Sequence, residues 1–420
     1  MTSDLFAAGQ WLPAQDLADV CERNKKTFAR HQRVLVFAGS RVAFVIALTL
    51  CRDLDQLLFV APSARSAEEL APHLEKWGVT LVVRGWDGAE LLLDEYERPA
   101  SVPLESGVVI FTSGSTGTPK LVQHRWETIS ASSKFVPERL MGATWFLAYE
   151  PGSYAGLQVF FSAAGSGGKL VMPDAGKHHE HARLISENDV DAISGTPTWW
   201  RILINGWPPK LARPKLIQAT LGGELVSQPI IDLVRESFDP EHLTHIYAST
   251  ETGTAIVVSD GREGFPTSFL DESGKVGLRV RDGMLEVRST RAMKHYVGTD
   301  QQDVVVDGWL RTKDRIDVRG DRCYFAGRED GLINIGGMKV MPEEVEAALS
   351  EVPGVRDCAV YARRNPLMGA LLVADVVAAG LTAETIRSTL GSRLPAFKVP
   401  QHIRFVDEIL ISDHGKKIRK

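Results

Sequence analysis

The chain is poor in cysteine. Only Cys21, Cys51, Cys323 and Cys358 occur in 420 residues, and no two stand at C-x-x-C spacing. That excludes the usual zinc-ribbon and dithiol patterns and leaves reduced, buried thiols in a cytoplasmic protein as the expectation. Long apolar runs are missing as well. The longest, Val42 to Cys51, falls short of the roughly 20 residues that cross a bilayer, so it reads as a buried helix and no membrane association is expected. The first ten residues contain Asp4 but no Lys or Arg, which is wrong for a secretory signal. There is no surplus of positive charge: 48 Lys and Arg stand against 53 Asp and Glu, a net charge of −5, and aromatic residues do not interleave with basic ones. Nucleic acid is therefore not an expected partner, and small molecules are. Internal repeats and low-complexity tracts are also absent. What is present is a hydrophobic content of 44%, enough to fill the two or more domains that this length implies.

Up to about residue 250, short apolar runs alternate with helical patterns. The runs are Val34 to Phe37, Leu57 to Val60, Leu81 to Val83, Val108 to Phe111, Trp145 to Ala148, Leu170 to Met172 and Leu216 to Leu221. The helical stretch after Ser66 opens with a capping box, Ser66 followed three residues later by Glu69, and closes at Gly78. This alternation predicts an α/β fold with mainly parallel sheets. From about 254 to 326 the texture changes to short strands and turns, which predicts a β-rich module. After residue 337 a helix (Pro342 to Leu349), strands (Val355 to Tyr361, Leu371 to Val376) and a helix (Ala383 to Leu394) predict a small α+β C-terminal domain of about 90 residues.

One stretch, "FTSGSTGTPK" from Phe111 to Lys120, hangs from the end of the buried strand that starts at Gly107. Gly114 and Gly117 permit positive φ and close backbone approach, while Thr112, Ser113, Ser115, Thr116 and Thr118 place hydroxyl donors around exposed N–H groups. Lys120 adds one positive charge. Such a loop suits phosphate oxygens, although composition alone is also that of an ordinary polar turn. It is not a Walker loop, because Pro119 stands where the second glycine of that pattern belongs.

Three further segments belong with this loop: "YASTETG" from Tyr247, "WLRTKDRIDV" from Trp309 with "GREDGLINIGGMKV" from Gly327, and "GKKIR" from Gly415. In this order and spacing they resemble the adenylate-forming superfamily of acyl- and aryl-CoA synthetases, peptide-synthetase adenylation domains and luciferases, over nearly the whole chain. The resemblance implies a large adenylation domain over residues 1–329 and a small mobile domain over 330–420, hinged at Asp330. It implies ATP-dependent activation of a carboxylic acid as acyl-AMP with release of pyrophosphate, then transfer to a thiol, either coenzyme A or the phosphopantetheine of an acyl or peptidyl carrier protein.

The same resemblance assigns roles residue by residue. Thr112, Ser113, Gly114, Ser115, Thr116, Gly117 and Lys120 become the phosphate-binding loop. Glu251 becomes the Mg²⁺ ligand and Thr250 an α-phosphate contact, both at the catalytic centre. Tyr247 lies against adenine, Asp314 binds the ribose hydroxyls, and Arg328 joins it. Gly222, Gly223 and Glu224 run between the acyl and adenine sites, and Lys416 is the catalytic lysine brought in by the small domain. Lys417 is expected to be exposed. This chemistry is coherent, because a carboxylate and an α-phosphate repel one another and need converging positive charge.

The sequence departs from the family pattern in places. Ala248 stands where glycine is usual and Ile411 where proline is common. Ser153 occupies the place where amino-acid-activating relatives carry an aspartate, so an α-amino acid substrate is disfavoured, with Glu150 the remaining candidate partner for an ammonium. Trp199 is a candidate for the acyl pocket and equally for helix packing. His178, His179 and His181 read as a solvated turn rather than a metal site, and His124 as a packing residue. Alternatives stay open. One is adenylation for a stand-alone carrier protein, another a nitrogen or oxygen acceptor, and a third a degenerate relative that binds nucleotide as a sensor.

Overall fold

The computed structural model describes residues 3–97, 105–112, 120–297, 305–335, 338–365, 369–411 and 417–418. Two sheets with parallel strands at their centres form its larger part. The first runs in the order Gly253–Val258, His242–Ser249, Gln218–Gly222, Ala192–Gly195, Thr144–Leu147, Lys169–Val171, Asp4–Ala7 and Gln10–Leu12, with antiparallel pairing only at its two ends. The second runs His295–Tyr296, Lys120–His124, Gly107–Thr112, Leu57–Ala61, Arg33–Phe37, Leu81–Trp86 and Leu91–Glu95, again parallel in its middle. The unbroken apolar runs explain this choice. Every residue of Leu57–Ala61 and of Arg33–Phe37 is buried, as a strand covered on both faces requires.

The helices Arg41–Asp53 and Tyr154–Ser166 share a single core with side chains from both sheets, among them Val36, Val60, Ile110 and Leu147. Phe44 meets Phe160 edge to face at 6.3 Å, and full burial of each such ring is worth roughly 1.5–3 kcal/mol. On the outer face of the second sheet lies the helix Ala67–Trp77. Both arms of its capping box form, Gly78 ends it at φ 63, and Trp77 stacks on Phe59 at 5.6 Å.

Phe265–Pro266, Arg322–Arg328, Trp309–Arg319, Met284–Ser289 and Val276–Arg281 build an antiparallel sheet, with Val305–Val306 paired to Trp309–Arg319. Its core of Phe265, Leu278, Leu285, Val287, Ile316 and Cys323 is continuous with Ile256 and Val258 of the first sheet. The turn Glu329–Gly331 leads to the hairpin Ile333–Ile335 and Met338–Val340. The hairpin's Ile333, Ile335 and Val340 pack into the last core together with the helices Pro342–Ser350 and Ala383–Gly391 and the sheet Val355–Asn365, Gly369–Ala378 and His402–Phe405. Cys51, Cys323 and Cys358 are buried free thiols, and Cys21 is half-buried and free. Among the described residues no helix is long and apolar enough to cross a membrane.

Candidate active site

The parallel strands ending at Thr112, Leu147, Gly195, Gly222 and Ser249 present their carboxyl ends to the loops that carry the candidate residues. In open α/β sheets that edge is the general place for a ligand. At the far end of the edge Tyr247, near the end of His242–Ser249, reaches across to the antiparallel sheet. Its hydroxyl donates to Asp314 Oδ2 at 2.6 Å, and its ring stacks on Phe325 at 4.8 Å. Asp314 stands opposite Arg328 in the ladder, and Arg328 Nη1 lies 3.5 Å from Asp314 Oδ1. Burial, reinforced by the Asp314 carboxylate, pushes the Tyr247 hydroxyl well above its ordinary pKa and keeps it a donor. A carboxylate with two oxygens here, half-buried and held by a tyrosine, can accept from a pair of neighbouring hydroxyls.

Glu251 lies four residues beyond Tyr247, in the turn closed by the Thr252 N–H donating to Ser249 Oγ at 3.0 Å. The chain reverses at Gly253 with φ +73. A Cβ there would come within 3.0 Å of the Tyr154 hydroxyl and 3.1 Å of Arg291, so both conformation and space require glycine. Three contacts hold the turn. The Met293 N–H donates to the Glu251 carbonyl at 2.7 Å, the Tyr296 hydroxyl to Glu251 Oε1 at 3.0 Å, and His124 Nε2 to the Thr250 carbonyl at 2.7 Å. Lys120 Nζ sits 5.3 Å from the centre of the Tyr296 ring. Thr112, opposite Lys120, donates to its carbonyl at 3.3 Å. The Lys120 end of the candidate phosphate loop thus meets the Glu251 turn through Tyr296, while Ser113, Gly114, Ser115, Thr116 and Gly117 lie outside the described residues.

His124 is fully buried, and a carbonyl partner fixes its proton on Nε2 while Nδ1 has no hydrogen-bond partner among the described residues. Burial drives its pKa down to about 4, so the ring is neutral. Its part goes beyond packing: it holds the Thr250 peptide. Among the described residues no group of three or more His, Cys, Asp or Glu side chains could enclose a metal ion. A lone carboxylate such as Glu251 does suit Mg²⁺, which takes one or two carboxylates and completes its shell with phosphate oxygens and water.

Around the candidate acyl-pocket residues, Tyr149 is buried with its hydroxyl 3.4 Å from the Gly222 carbonyl and from Ser194 Oγ. Ser153 is the N-cap of Tyr154–Ser166. Its hydroxyl accepts from the Gly156 N–H at 3.0 Å and donates to the Glu150 carbonyl at 2.7 Å. The Glu150 carboxylate is buried and accepts from the backbone and hydroxyl of Ser63 at 2.9 and 2.7 Å. Trp199 is 2% exposed, touches Phe146 and Trp200, and donates from Nε1 to His181 Nδ1 at 3.0 Å. That corrects the solvated-turn reading at His181, whose ring is buried and neutral, with its pKa driven by burial to about 3. The helical register carries His181 inward because it opens His181–Glu187 on the side that faces the first sheet's core, whereas His179 stays exposed.

A family model described as AMP-binding enzyme matches residues 26–296. The chain belongs to the AMP-binding enzyme family. The family's C-terminal domain matches residues 344–416. Phenyloxazoline synthase MbtB of Mycobacterium tuberculosis is 29% identical over 363 residues, covering 77% of this chain, and this chain spans a quarter (25%) of that protein's length. The 2-succinylbenzoate–CoA ligase of Lactococcus lactis is 25% identical over 334 residues, 74% of this chain and 70% of the ligase. Among solved structures, o-succinylbenzoate CoA synthetase (MenE) from Bacillus subtilis, in complex with an acyl-adenylate intermediate, shares the fold at a TM-score of 0.74. It is 20% identical and covers 99% of this chain and 94% of its own.

In this AMP-binding enzyme Lys416 lies outside the described residues, but its neighbour Lys417 does not, and Lys417 is not exposed. Its side chain is 9% exposed and forms an ion pair with Asp357 at 2.9 Å, with a second bond to the Cys358 carbonyl. Glu224 is engaged as well: Oε2 accepts from the Thr198 N–H at 3.0 Å in the first turn of Pro197–Asn205, and Oε1 from the Lys417 N–H at 3.3 Å. Gly222 ends its strand and Gly223 follows it, both beside Tyr149. Asp330 lies in the turn Glu329–Gly331. Tyr296 and Asp357 escaped sequence reading. Tyr296 belongs to a two-residue strand too short for any periodicity, and Asp357 needed knowledge of where the terminal segment returns.

Proposed function

We propose that the protein activates a carboxylic acid with ATP, forming acyl-AMP and pyrophosphate, and then passes the acyl group to a thiol. The observation that carries this reading is the run of contacts across three sheets that brings together Thr112 and Lys120, the Tyr296–Glu251 pair and the Tyr247–Asp314–Arg328 group. Their chemistry matches, in order, a polyphosphate, its counter-ion and a ribose. Membership in the AMP-binding enzyme family supports it further.

In this reading the serine, threonine and glycine residues from Thr112 to Gly117 and the Lys120 ammonium hold the phosphates, and Thr250 donates to the α-phosphate. Glu251, oriented by Tyr296, would hold Mg²⁺, which supplies charge neutralisation for the phosphates when bound. Asp314 and Arg328 grip the ribose, and Tyr247 sits at the adenine. Gly222, Gly223 and Glu224 border the acyl group. Lys416 stabilises the charge that develops as the carboxylate attacks phosphorus, and removing one such donor costs about 10²–10³ in rate. Asp330 is the hinge that lets residues 330–420 change pose relative to 1–329.

An uncharged or aryl acid fits better than an α-amino acid. The Glu150 carboxylate is already bonded to Ser63 and the Ser153 hydroxyl to its own helix, so neither is held ready for an ammonium. The naming of relatives as 2-succinylbenzoate–CoA ligase and p-hydroxybenzoic acid–AMP ligase points the same way. Coenzyme A is the acceptor we favour, with the phosphopantetheine of an acyl or peptidyl carrier protein as its counterpart.

Pyrophosphate release measured across aryl, fatty and amino acids, with and without coenzyme A, tests the reading. Acid-dependent pyrophosphate and AMP are expected. Release of phosphate with ADP overturns it, and nucleotide binding without turnover of any acid identifies a sensor instead.

A further inference from the structure

We propose that Lys417 is a positioning residue for the adenylation step, anchoring the terminal segment to the small domain through Asp357 and docking it on the large domain through Glu224. This rests on the reading of the previous section. The anchor has two ends. The Lys417 ammonium is paired with Asp357 at 2.9 Å, and the two side chains are 9% and 8% exposed. Asp357 is held in turn, Oδ1 accepting from the Cys358 N–H at 2.9 Å, on the strand Val355–Asn365. The backbone of the same residue makes the other end, its N–H reaching Glu224 Oε1 at 3.3 Å.

Nothing in the covalent structure obliges a lysine near a chain end to be buried. Lysine is among the residues least often buried, and well-packed apolar groups in place of a buried pair are often as stable or more so. What an ion pair adds is geometry: it fixes one residue against one partner. Ile411 and Lys417 also form an antiparallel bridge, and the Ile418 N–H donates to the Leu410 carbonyl at 2.8 Å. Residue 417 is therefore tied to Asp357 on the strand Val355–Asn365, to Ile411 and to Glu224. Since consecutive Cα atoms are about 3.8 Å apart, an anchor at residue 417 acts one residue away from the candidate catalytic lysine, Lys416.

Glu224 makes the dock reversible. Its two oxygens serve two donors, Thr198 N–H within the large domain and Lys417 N–H from the terminal segment. Withdrawal of the segment frees Oε1 and leaves the start of Pro197–Asn205 capped. The small domain can thus leave without exposing a buried helix end, and Lys417 travels with it because Asp357 belongs to the same domain.

The test uses the full chain with Lys417→Met, Lys417→Arg and the double variant Lys417→Met/Asp357→Leu, and two readouts. Amide hydrogen exchange follows protection of residues 417 and 418. Kinetics compares acid-dependent pyrophosphate release with consumption of preformed acyl-AMP by coenzyme A. Lys417→Met is expected to lose the protection and to slow pyrophosphate release about 10²-fold, the scale of a 1 Å misplacement. Consumption of acyl-AMP should stay within about twofold of wild type. Lys417→Arg, which keeps the charge, should recover part of both effects. Because Lys417→Met strands the Asp357 carboxylate, the double variant removes both charges. A double variant that melts like wild type and remains slow in adenylation supports positioning; one that regains full rate shows the pair to be structural and overturns the proposal. Unchanged protection in Lys417→Met, or equal slowing of both half-reactions, also overturns it. If the wild type forms no adenylate with any acid, the reading beneath the proposal falls and with it the catalytic part, while exchange alone still decides whether Lys417 anchors the segment.

Discussion

The hydroxyl of Tyr296 touches Glu251 Oε1 at 3.0 Å and belongs to a ring that also faces the Lys120 ammonium. Hydrogen bonds to a charged group contribute about 1.5–3 kcal/mol. Tyr296→Phe removes that donor and nothing else, so the apparent Mg²⁺ affinity in pyrophosphate release should fall roughly tenfold, with the KM for the acid little changed. An unaltered Mg²⁺ titration would sever Tyr296 from the candidate metal site. Asp314→Ala makes a complementary case. It removes the partner of both Tyr247 and Arg328, and a ribose contact acts in ground and transition states alike, so KM for ATP should rise more than KM for the acid or than kcat falls. Equal rises in both KM values would count against the ribose assignment. Glu251 and Asp314 are candidates in the sequence because their neighbours there carry the motif. Tyr296 is not one, since its relation to Glu251 spans 45 residues and exists only where strands from two sheets converge.

Local signals predicted the elements well wherever the element is held by its own sequence. Ser66, Glu69 and Gly78 mark the helix Ala67–Trp77, and the structure forms both arms of the box. Ser66→Ala should cost about 1 kcal/mol of stability, read as a lower denaturation midpoint, and leave pyrophosphate release intact because the helix lies on the outer face of its sheet. A change in kcat would mean the helix communicates with the site. Elements held by distant partners were the harder ones. Asp4–Ala7 is a strand because it pairs in parallel with Lys169–Val171, far along the chain, and nothing in its four residues announces that register. The helix expected to reach Leu394 stops at Gly391, where a poor helix former lies close to Pro395.

At the scale of the whole molecule, His124 and His181 are buried as neutral rings with pKa values near 4 and near 3, and burial lowers the pKa of His245 as well. Both values lie below the unfolded reference of about 6.5, so the unfolded chain binds more protons over the interval between. Stability from these rings is therefore complete above about pH 6.5 and is lost as pH falls through about 4 for His124 and about 3 for His181. Thermal melting should show a falling limb from pH 6.5 downward. His181→Gln should flatten it, because the amide oxygen can still accept from Trp199 Nε1 and does not charge. An equally steep limb in that variant would show that His181 is not one of its sources.

The sequence by itself determined the α/β class, the parallel core strands, the β-rich module, the small last domain and the family. These follow from runs of β-branched residues, turn chemistry and ordered motifs, all of which act over a few residues. Tertiary structure decided which polar groups meet. His181 and Lys417 looked like solvated charges because their sequence neighbours are polar, and in the fold both are buried, one against Trp199 and the other against Asp357. Burial of a polar side chain depends on a partner that offsets desolvation. For these two residues the partner lies 18 and 60 positions away in sequence (199 − 181 and 417 − 357), where only the packing of helices and sheets can supply it.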